Sequence, residues 1–374
     1  MVRPNVFHIE RSWVFNAFAA VFLVRPMFLT RIKRKCAPMN ILAFESSCDE
    51  TAAAVVRDGR TVLSSVIASS ADMHAVYGGV VPEIASRKHV EAISGLADEA
   101  LRQSGLTKKE IDAVAVTYAP GLIGALLVGV SFAKSAAFGL GVPLIPVHHV
   151  RGHIAANYIA HPDLEPPFLC LCVSGGTTAL VDVKDYTRFE VLGSTRDDAA
   201  GECFDKIARV LGLGYPGGGP MDRLAQGGND KAFLFPNARI SGHPLDMSFS
   251  GLKTAVLNTI HNAGQKGEAL DLRDLAASFA AAVSDALIPR VMEANTLTGY
   301  NKIAVAGGVA ANSRIRADLE AACGRARAKL WLPPLSRCGG NAAMIGSQGY
   351  YEFSAGHTAG WELNARASLD ISKG

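Results

Sequence analysis

Phe168-Leu169-Cys170-Leu171-Cys172-Val173-Ser174-Gly175-Gly176-Thr177-Thr178-Ala179-Leu180-Val181-Asp182-Val183 decides how this chain folds. Phe168–Val173 is an unbroken apolar run and reads as a buried strand. Ala179–Val183 reads as its return strand. The turn between them, Ser174 to Thr178, carries two glycines that leave backbone N–H groups uncovered, and its hydroxyls add donors. Such a loop can wrap an anion. A plain Gly-Gly turn is the alternative.

The same pattern opens the chain. Ile41–Phe44 is a short apolar strand, Glu45-Ser46-Ser47-Cys48-Asp49-Glu50-Thr51 is a polar loop, and Ala52–Val56 is the return strand. Three acids crowded into that loop suit a place that holds phosphate or Mg²⁺. The repetition implies an internal duplication: an α/β protein of two similar lobes with a ligand in the cleft between them. A further strand-to-glycine turn, Lys302–Val305 running into Ala306-Gly307-Gly308-Val309, suits a nucleoside lying against backbone.

Between the two repeats stands Pro146-Val-His-His149-Val-Arg-Gly-His153-Ile-Ala-Ala-Asn157. If this segment is helical, His149 and His153 project from one face one turn apart. Two neutral imidazoles at that spacing can share a transition metal, but at least one more ligand must come from elsewhere. Histidines bonded to backbone or water near a helix start are the plainer reading. Further on, Asp205 and Asp222 flank the open loop Tyr215-Pro-Gly-Gly218-Gly-Pro220. Acids beside a glycine loop fit recognition of ribose hydroxyls, and they equally fit helix caps. Lys253 is the cation expected to meet phosphate or RNA.

Glu83–Ser104 and Ala125–Leu140 read as helices and Leu270–Ala294 as a long helical stretch. Ala113–Thr117 and Leu144–Val147 read as strands. The expected organisation is an extension over 1–38, a first α/β lobe over 39–147, a second lobe over 148–353 and a tail over 354–374. The last helix can pack back on the first lobe. Residues 1–38 hold seven basic side chains against Glu10, a net +6, so the rest of this +3 chain is at −3. By composition that body is not a basic nucleic-acid binder, and an RNA partner needs a local patch or a helper subunit. The apolar run Trp13–Val24 is shorter than the roughly 20 residues of a membrane span. The basic cluster Arg31–Lys35 follows it, which is the wrong order for a signal peptide. We therefore expect Met39 to be the true start and the protein to be cytoplasmic, with no membrane partner. The seven cysteines form no CxxC pair, which excludes a zinc ribbon and suits a reducing compartment.

Taken together, these motifs resemble the TsaD family (also called Gcp or YgjD), the tRNA N6-adenosine threonylcarbamoyltransferases, from about Met39 to Phe353. The stretches that carry the resemblance are Glu45–Thr51, Tyr77-Gly-Gly-Val-Val-Pro-Glu83, Ala119-Pro-Gly-Leu-Ile-Gly124, His149-x-x-x-His153, Val173-Ser-Gly-Gly176, Asp197-Asp-Ala-Ala-Gly-Glu202, Phe204-Asp-Lys206, Tyr215–Gly218, Phe249-Ser-Gly-Leu-Lys253 and Ala306–Val309. The resemblance implies an actin-like, sugar-kinase-like (ASKHA) fold. It implies transfer of threonylcarbamoyl from threonylcarbamoyl-AMP to N6 of the adenosine beside the anticodon, in tRNAs reading codons that start with A.

It also implies roles for single residues. His149 and His153 are the metal-ligating histidines for one divalent ion per subunit, iron with zinc as the alternative. Val173, Ser174, Gly175, Gly176 and Thr177 hold the acyl-adenylate, together with Asp205, Gly218, Asp222 and Asn312. The implied partners are tRNA, a TsaB-like paralogue and a TsaE-like ATPase. From position alone, Glu50 or Asp49 could accept the amine proton. Two departures from the family stand out. Thr177 replaces the usual His or Asn. Gly340, in Cys338-Gly-Gly-Asn341, replaces the Asp that is the family's third metal ligand, so weaker metal binding is expected. Hence a catalytically impaired paralogue or scaffold is the first alternative. A metallopeptidase and a sugar kinase follow it; His149-Val-Arg-Gly-His153 lacks the glutamate that a zincin helix places after its first histidine.

Overall fold

The computed structural model describes residues 38–374, which form one compact unit from Met39 onward. The readings of Trp13–Val24, of Arg31–Lys35 and of Cys36 lie outside the described residues.

The first half runs β1 (Asn40–Glu45), β2 (Glu50–Arg57), β3 (Thr61–Ser69), α1 (Ala71–Ala75), α2 (Pro82–Ser104), β4 (Ala113–Ala119), α3 (Ile123–Leu140) and β5 (Leu144–His148). Its sheet has the order β3-β2-β1-β4-β5; β2 pairs antiparallel with β1, and β4 pairs parallel with it. After α4 (His149–Ala160), the second half opens with β6 (Phe168–Val173), β7 (Thr178–Val183) and β8 (Phe189–Ser194). Then come α5 (Ala200–Val210), α6 (Gly218–Ala225), α7 (Ser250–Lys266), α8 (Leu272–Thr298), β9 (Lys302–Ala306), α9 (Ser313–Ala326), β10 (Lys329–Trp331) and α10 (Ala342–Ser354). The second sheet is ordered β10-β9-β6-β7-β8. Matching β6 to β1, β7 to β2, β8 to β3, β9 to β4 and β10 to β5 reproduces the first order and every strand direction. The duplication expected from the two strand–loop–strand repeats is therefore a duplication of whole sheets.

Two helices lie between the halves. α4 leaves the first sheet but buries Ile154, Ala155 and Tyr158 against β6, β7 and Trp331 of the second. α10 runs the other way: Ala342, Ala343, Met344 and Ile345 pack with Ile41, Ala43, Val56 and Val147 of the first sheet. Small residues allow this close approach. A Cβ at Gly349 would stand 2.8 Å from Ala115 Cβ, and one at Gly346 would stand 2.7 Å from Val56 Cγ2. Gly349→Val should therefore destabilise the fold by at least ~1–3 kcal/mol through overpacking, read as a lower urea midpoint. A midpoint equal to wild type would show that the sheet yields to the added methyls.

The last 20 residues are part of the fold. Ala359 forms a bridge to Leu144, Arg366 N–H donates to Tyr118 O (2.8 Å), and Gly121 N–H donates to Ala367 O (3.1 Å). Arg151, buried on α4, donates to the Ile371 carbonyl and to Glu352 Oε1 of α10 (3.0 Å). The chain end thus straps β4, β5 and α4 together at the edge that carries His149. α3 and α8 are long and apolar enough to cross a membrane. In the structure α3 packs on the first sheet, and α8 is largely buried within the second half. Cys48, Cys170, Cys172, Cys203, Cys323 and Cys338 are all free.

Candidate active site

Glu45 closes β1 and is buried. It accepts hydrogen bonds from Thr117 Oγ1 (2.5 Å), Ser47 N–H (2.6 Å) and His149 Nδ1 (3.0 Å). Burial alone would push its carboxyl up. The facing His149 and the bonds from His149, Ser47 and Thr117 outweigh that and bring it down to about 2. Burial opposes a charge on His149 as well, but Glu45 holds its pKa above the ordinary value. A carboxylate only accepts, so Nδ1 of His149 carries a proton toward Glu45, and Nε2 is the nitrogen turned away from it. A carboxylate orienting an imidazole from behind is the usual support of a metal-bound histidine.

His153 lies on the same face of α4, its ring 4.6 Å from that of His149 and nearly perpendicular to it. Burial, reinforced by His149, brings it down to about 3, so it is neutral. Its Nδ1 is buried without a hydrogen-bond partner. An orphaned buried nitrogen beside a pre-oriented imidazole fits a cation. The pair stands alone, however: among the described residues no third His, Cys, Asp or Glu completes a set. Gly340 borders it, since a Cβ there would lie 3.7 Å from His149 Cε1 and 3.5 Å from Glu50 Oε2. The residues present therefore fit a metal held by two imidazoles, with a gap where a carboxylate would stand.

The second feature is a cavity of about 280 Å³ in the second half. Gly175, Asp205, Gly218, Asp222 and Asn312, five residues marked in the sequence, all line it. Ser174 N–H donates to Thr177 O (2.7 Å) and Thr177 N–H to Ser174 Oγ (3.1 Å), so the β6–β7 turn is closed on itself. No atom stands within 4 Å of where a Cβ would sit on Gly175 or Gly176, which leaves that backbone open. Gly307 has φ +97° and a Cβ there would meet Val173 O at 2.4 Å, so only glycine fits at this crossing. Val173 itself is buried in β6 behind the turn.

Asp205, Asp222 and Asn312 do two jobs. Asp205 Oδ1 accepts from Gly217 N–H (2.8 Å) and shapes the loop before α6. Asp222 Oδ1 accepts from Ser313 N–H (2.9 Å) and Ser313 Oγ (2.8 Å), and Asn312 Oδ1 accepts from Ile315 N–H (3.0 Å). The last two thus cap α9 while facing the cavity. Sequence reasoning passed over Phe204, Pro216 and Val309 as cavity walls; they add the apolar surface that a purine ring needs, and Phe204 and Pro216 follow from the acid-and-glycine spacing around them. Lys253 is tied to Asp198, which also receives Lys206 (3.2 Å), so this lysine is engaged within the fold.

Asp49 and Glu50 connect the two features. Burial pushes Glu50 up to about 7, and Asp49 and Glu45 push it the same way. Burial raises Asp205 too, with Asp49 adding to it; burial and the charges of Asp49, Cys48, Asp205 and Glu50 raise Tyr215. The β1–β2 turn therefore faces the cavity rim on one side and the Gly340–His149 corner on the other.

Residues 61–347 match the family model described as TsaD, tRNA N6-adenosine threonylcarbamoyltransferase. The chain is similar to the tRNA N6-adenosine threonylcarbamoyltransferase of Clostridium botulinum (strain Kyoto / Type A2), at 52% identity over 90% of this chain and 98% of that one. It is also 52% identical to the Clostridium perfringens (strain 13 / Type A) protein of the same name, over 89% and 98%. Among solved structures it resembles T. kodakarensis HypF, with a TM-score of 0.59, 17% identity, and coverage of 84% of this chain and 48% of that one. It likewise resembles full-length HypF in its phosphate- and nucleotide-bound form, with a TM-score of 0.57, 14% identity, and coverage of 88% and 47%. At such identities these likenesses speak to the fold alone, which is the actin-like one.

Proposed function

Because this chain belongs to the family of tRNA N6-adenosine threonylcarbamoyltransferases, and is thus a tRNA-modifying acyltransferase, we propose that its cavity holds the AMP part of threonylcarbamoyl-AMP and its β1–β2 turn serves the transfer. The purine lies against Phe204, Pro216 and Val309, and the ribose meets Asp205, Asp222 and Asn312. The phosphate rests on the open backbone of Gly175 and Gly176 in the Ser174–Thr177 turn, whose N–H groups suit an anion. The observation that carries this reading is the convergence of Gly175, Asp205, Gly218, Asp222 and Asn312 on one cavity.

In the transfer, the N6 amine of the tRNA adenosine attacks the carbamoyl carbonyl, the bond from that carbon to the phosphate oxygen breaks, and AMP leaves. Glu50 accepts the amine proton, with Asp49 beside it as the second acceptor. No covalent enzyme intermediate is needed. The family is metal-dependent, and His149 and His153 are the residues that would hold the ion: one per subunit, iron with zinc as the alternative. When bound it supplies Lewis-acid polarisation and neutralises phosphate charge. The protein acts in the cytoplasm. Since the body carries net −3, a TsaB-like paralogue and a TsaE-like ATPase complete the assembly that meets tRNA.

Reconstitution with those partners, tRNA, threonine, bicarbonate and ATP, read by nucleoside mass spectrometry, tests the activity. Absence of the modified nucleoside under conditions where a relative forms it would refute the reading. The binding part has its own test. A Cβ at Gly201 would lie 2.5 Å from Ser174 O, so Gly201→Ala must displace the turn. AMP should bind about tenfold more weakly, a loss of about 1.4 kcal/mol. Unchanged affinity would place the phosphate elsewhere.

A further inference from the structure

The turn carrying Asp49 and Glu50 is held from behind by two buried histidines that the reaction itself does not use. His89, on α2, points Nε2 at Cys48 O (2.8 Å) and Nδ1 at Thr51 Oγ1 (2.7 Å). A carbonyl only accepts, so Nε2 carries the proton and Nδ1 accepts from the Thr51 hydroxyl. His74, on α1, accepts from Val81 N–H at Nδ1 (3.2 Å) and donates from Nε2 to Ser70 Oγ (3.1 Å). Ser70 in turn donates its hydroxyl to Asp49 O (2.7 Å) and its N–H to the same oxygen (3.0 Å). Both rings are buried, and both nitrogens of each are used. Burial keeps His89 below its ordinary value, so it stays neutral and the pattern is single-valued.

The segment so held works against itself. Glu45, Asp49 and Glu50 are like charges around one turn, and each of the first two pushes the Glu50 carboxyl up. Repulsion of this kind favours a more open turn. Hydrogen bonds to two consecutive carbonyls, Cys48 and Asp49, oppose that opening without touching a carboxylate. They hold the turn beside the cavity rim, where Asp205 feels Asp49 and Tyr215 feels both acids.

We propose that His89 with Thr51, and His74 with Ser70, are positioning residues that fix the Cys48–Glu50 backbone and thereby set the proton acceptor for transfer. The consequence for rate rests on the proposed role of Glu50; the backbone clamp does not.

The experiment uses the full chain with its partner proteins, preformed threonylcarbamoyl-AMP and tRNA. It measures the single-turnover rate, the Kd for AMP, and amide hydrogen exchange across residues 46–51. His89→Leu should speed that exchange and lower the rate about 10²-fold, the cost of a small misplacement at a reacting group. The Kd for AMP should stay within a factor of about three, because His89, Thr51, His74 and Ser70 are not among the residues that line the cavity. His89→Gln, whose amide still donates to Cys48 O, should recover about tenfold of the loss. Ser70→Ala makes the same cut in the His74 relay with a minimal change of volume, and guards against a misfolded His89 variant. Unchanged exchange in both His89→Leu and Ser70→Ala overturns the proposal. So does a parallel fall of rate and AMP affinity, or a normal rate with fast exchange while Glu50→Gln is slow. Fast exchange in His89→Leu and Ser70→Ala, with normal rates in both and in Glu50→Gln, upholds the clamp and removes Glu50 from the reaction instead.

Discussion

Glu50→Gln slows threonylcarbamoyl transfer about 10²–10³-fold and leaves AMP binding unchanged; a positioned general base contributes on this scale. The glutamine keeps the shape of the side chain and takes away only the oxygen able to receive a proton. Glu50 stands at the meeting of the two features: its Oε2 is 3.5 Å from the Cβ position of Gly340, and its charge reaches Tyr215 at the cavity rim. Stability separates this loss from misfolding. In the folded chain the Glu50 carboxyl sits at about 7, above its ordinary 4.5, because burial and two neighbouring acids resist its ionisation. A raised acid costs stability as pH climbs between those two values, and the cost persists above them. At pH 8 the neutral glutamine removes that cost, so Glu50→Gln should melt no lower than wild type while being far slower. A rate within twofold of wild type would end the role assigned to Glu50, and a much lower Tm would point to a folding defect.

Gly340→Asp tightens binding of a divalent cation about 10²-fold. Losing only a supporting partner of a ligand costs 10–100-fold, and here a whole ligand is gained. Room for it exists, because a Cβ at this position meets Glu50 and His149 at 3.5 and 3.7 Å, ordinary contact distances. The rest of the site already stands: Glu45 orients His149, and His153 has a buried nitrogen with no partner. Calorimetric titration of metal-stripped protein with Fe²⁺ or Zn²⁺ reads the effect, and His153→Ala should weaken both versions. If Gly340→Asp adds nothing and the unaltered chain holds one ion tightly, the ion has a third donor from elsewhere.

What could be read from sequence was what neighbours along the chain determine. β1, β2, β6 and β7 stood out because each is an apolar run beside a polar turn, and the repeat of that unit revealed two alike halves. The glycines and acids around the cavity stood out because local spacing marks them. β8 did not, since its burial is broken by exposed Glu190 and Val191 at the sheet edge. α7 did not either: its first turn is organised by Asp197, which takes bonds from Ser248, Phe249 and Ser250 some fifty residues on. The deeper limit was long-range pairing. Glu45 behind His149, Asp222 capping α9 and Ile371 bound to Arg151 are contacts across the whole fold. Local pattern marks such residues as notable without saying whom they meet. Asp222 was open between ribose contact and helix cap, and in three dimensions it caps α9 while lining the cavity.

The most direct measurement is a crystal structure of the chain with a non-hydrolysable analogue of threonylcarbamoyl-AMP. The purine should lie between Phe204 and Val309, the phosphate on the Ser174–Thr177 turn, and the acyl carbon within reach of Glu50, directly or through one water. An analogue bound outside this cavity, or with its acyl end turned away from Glu50 and His149, would contradict the account.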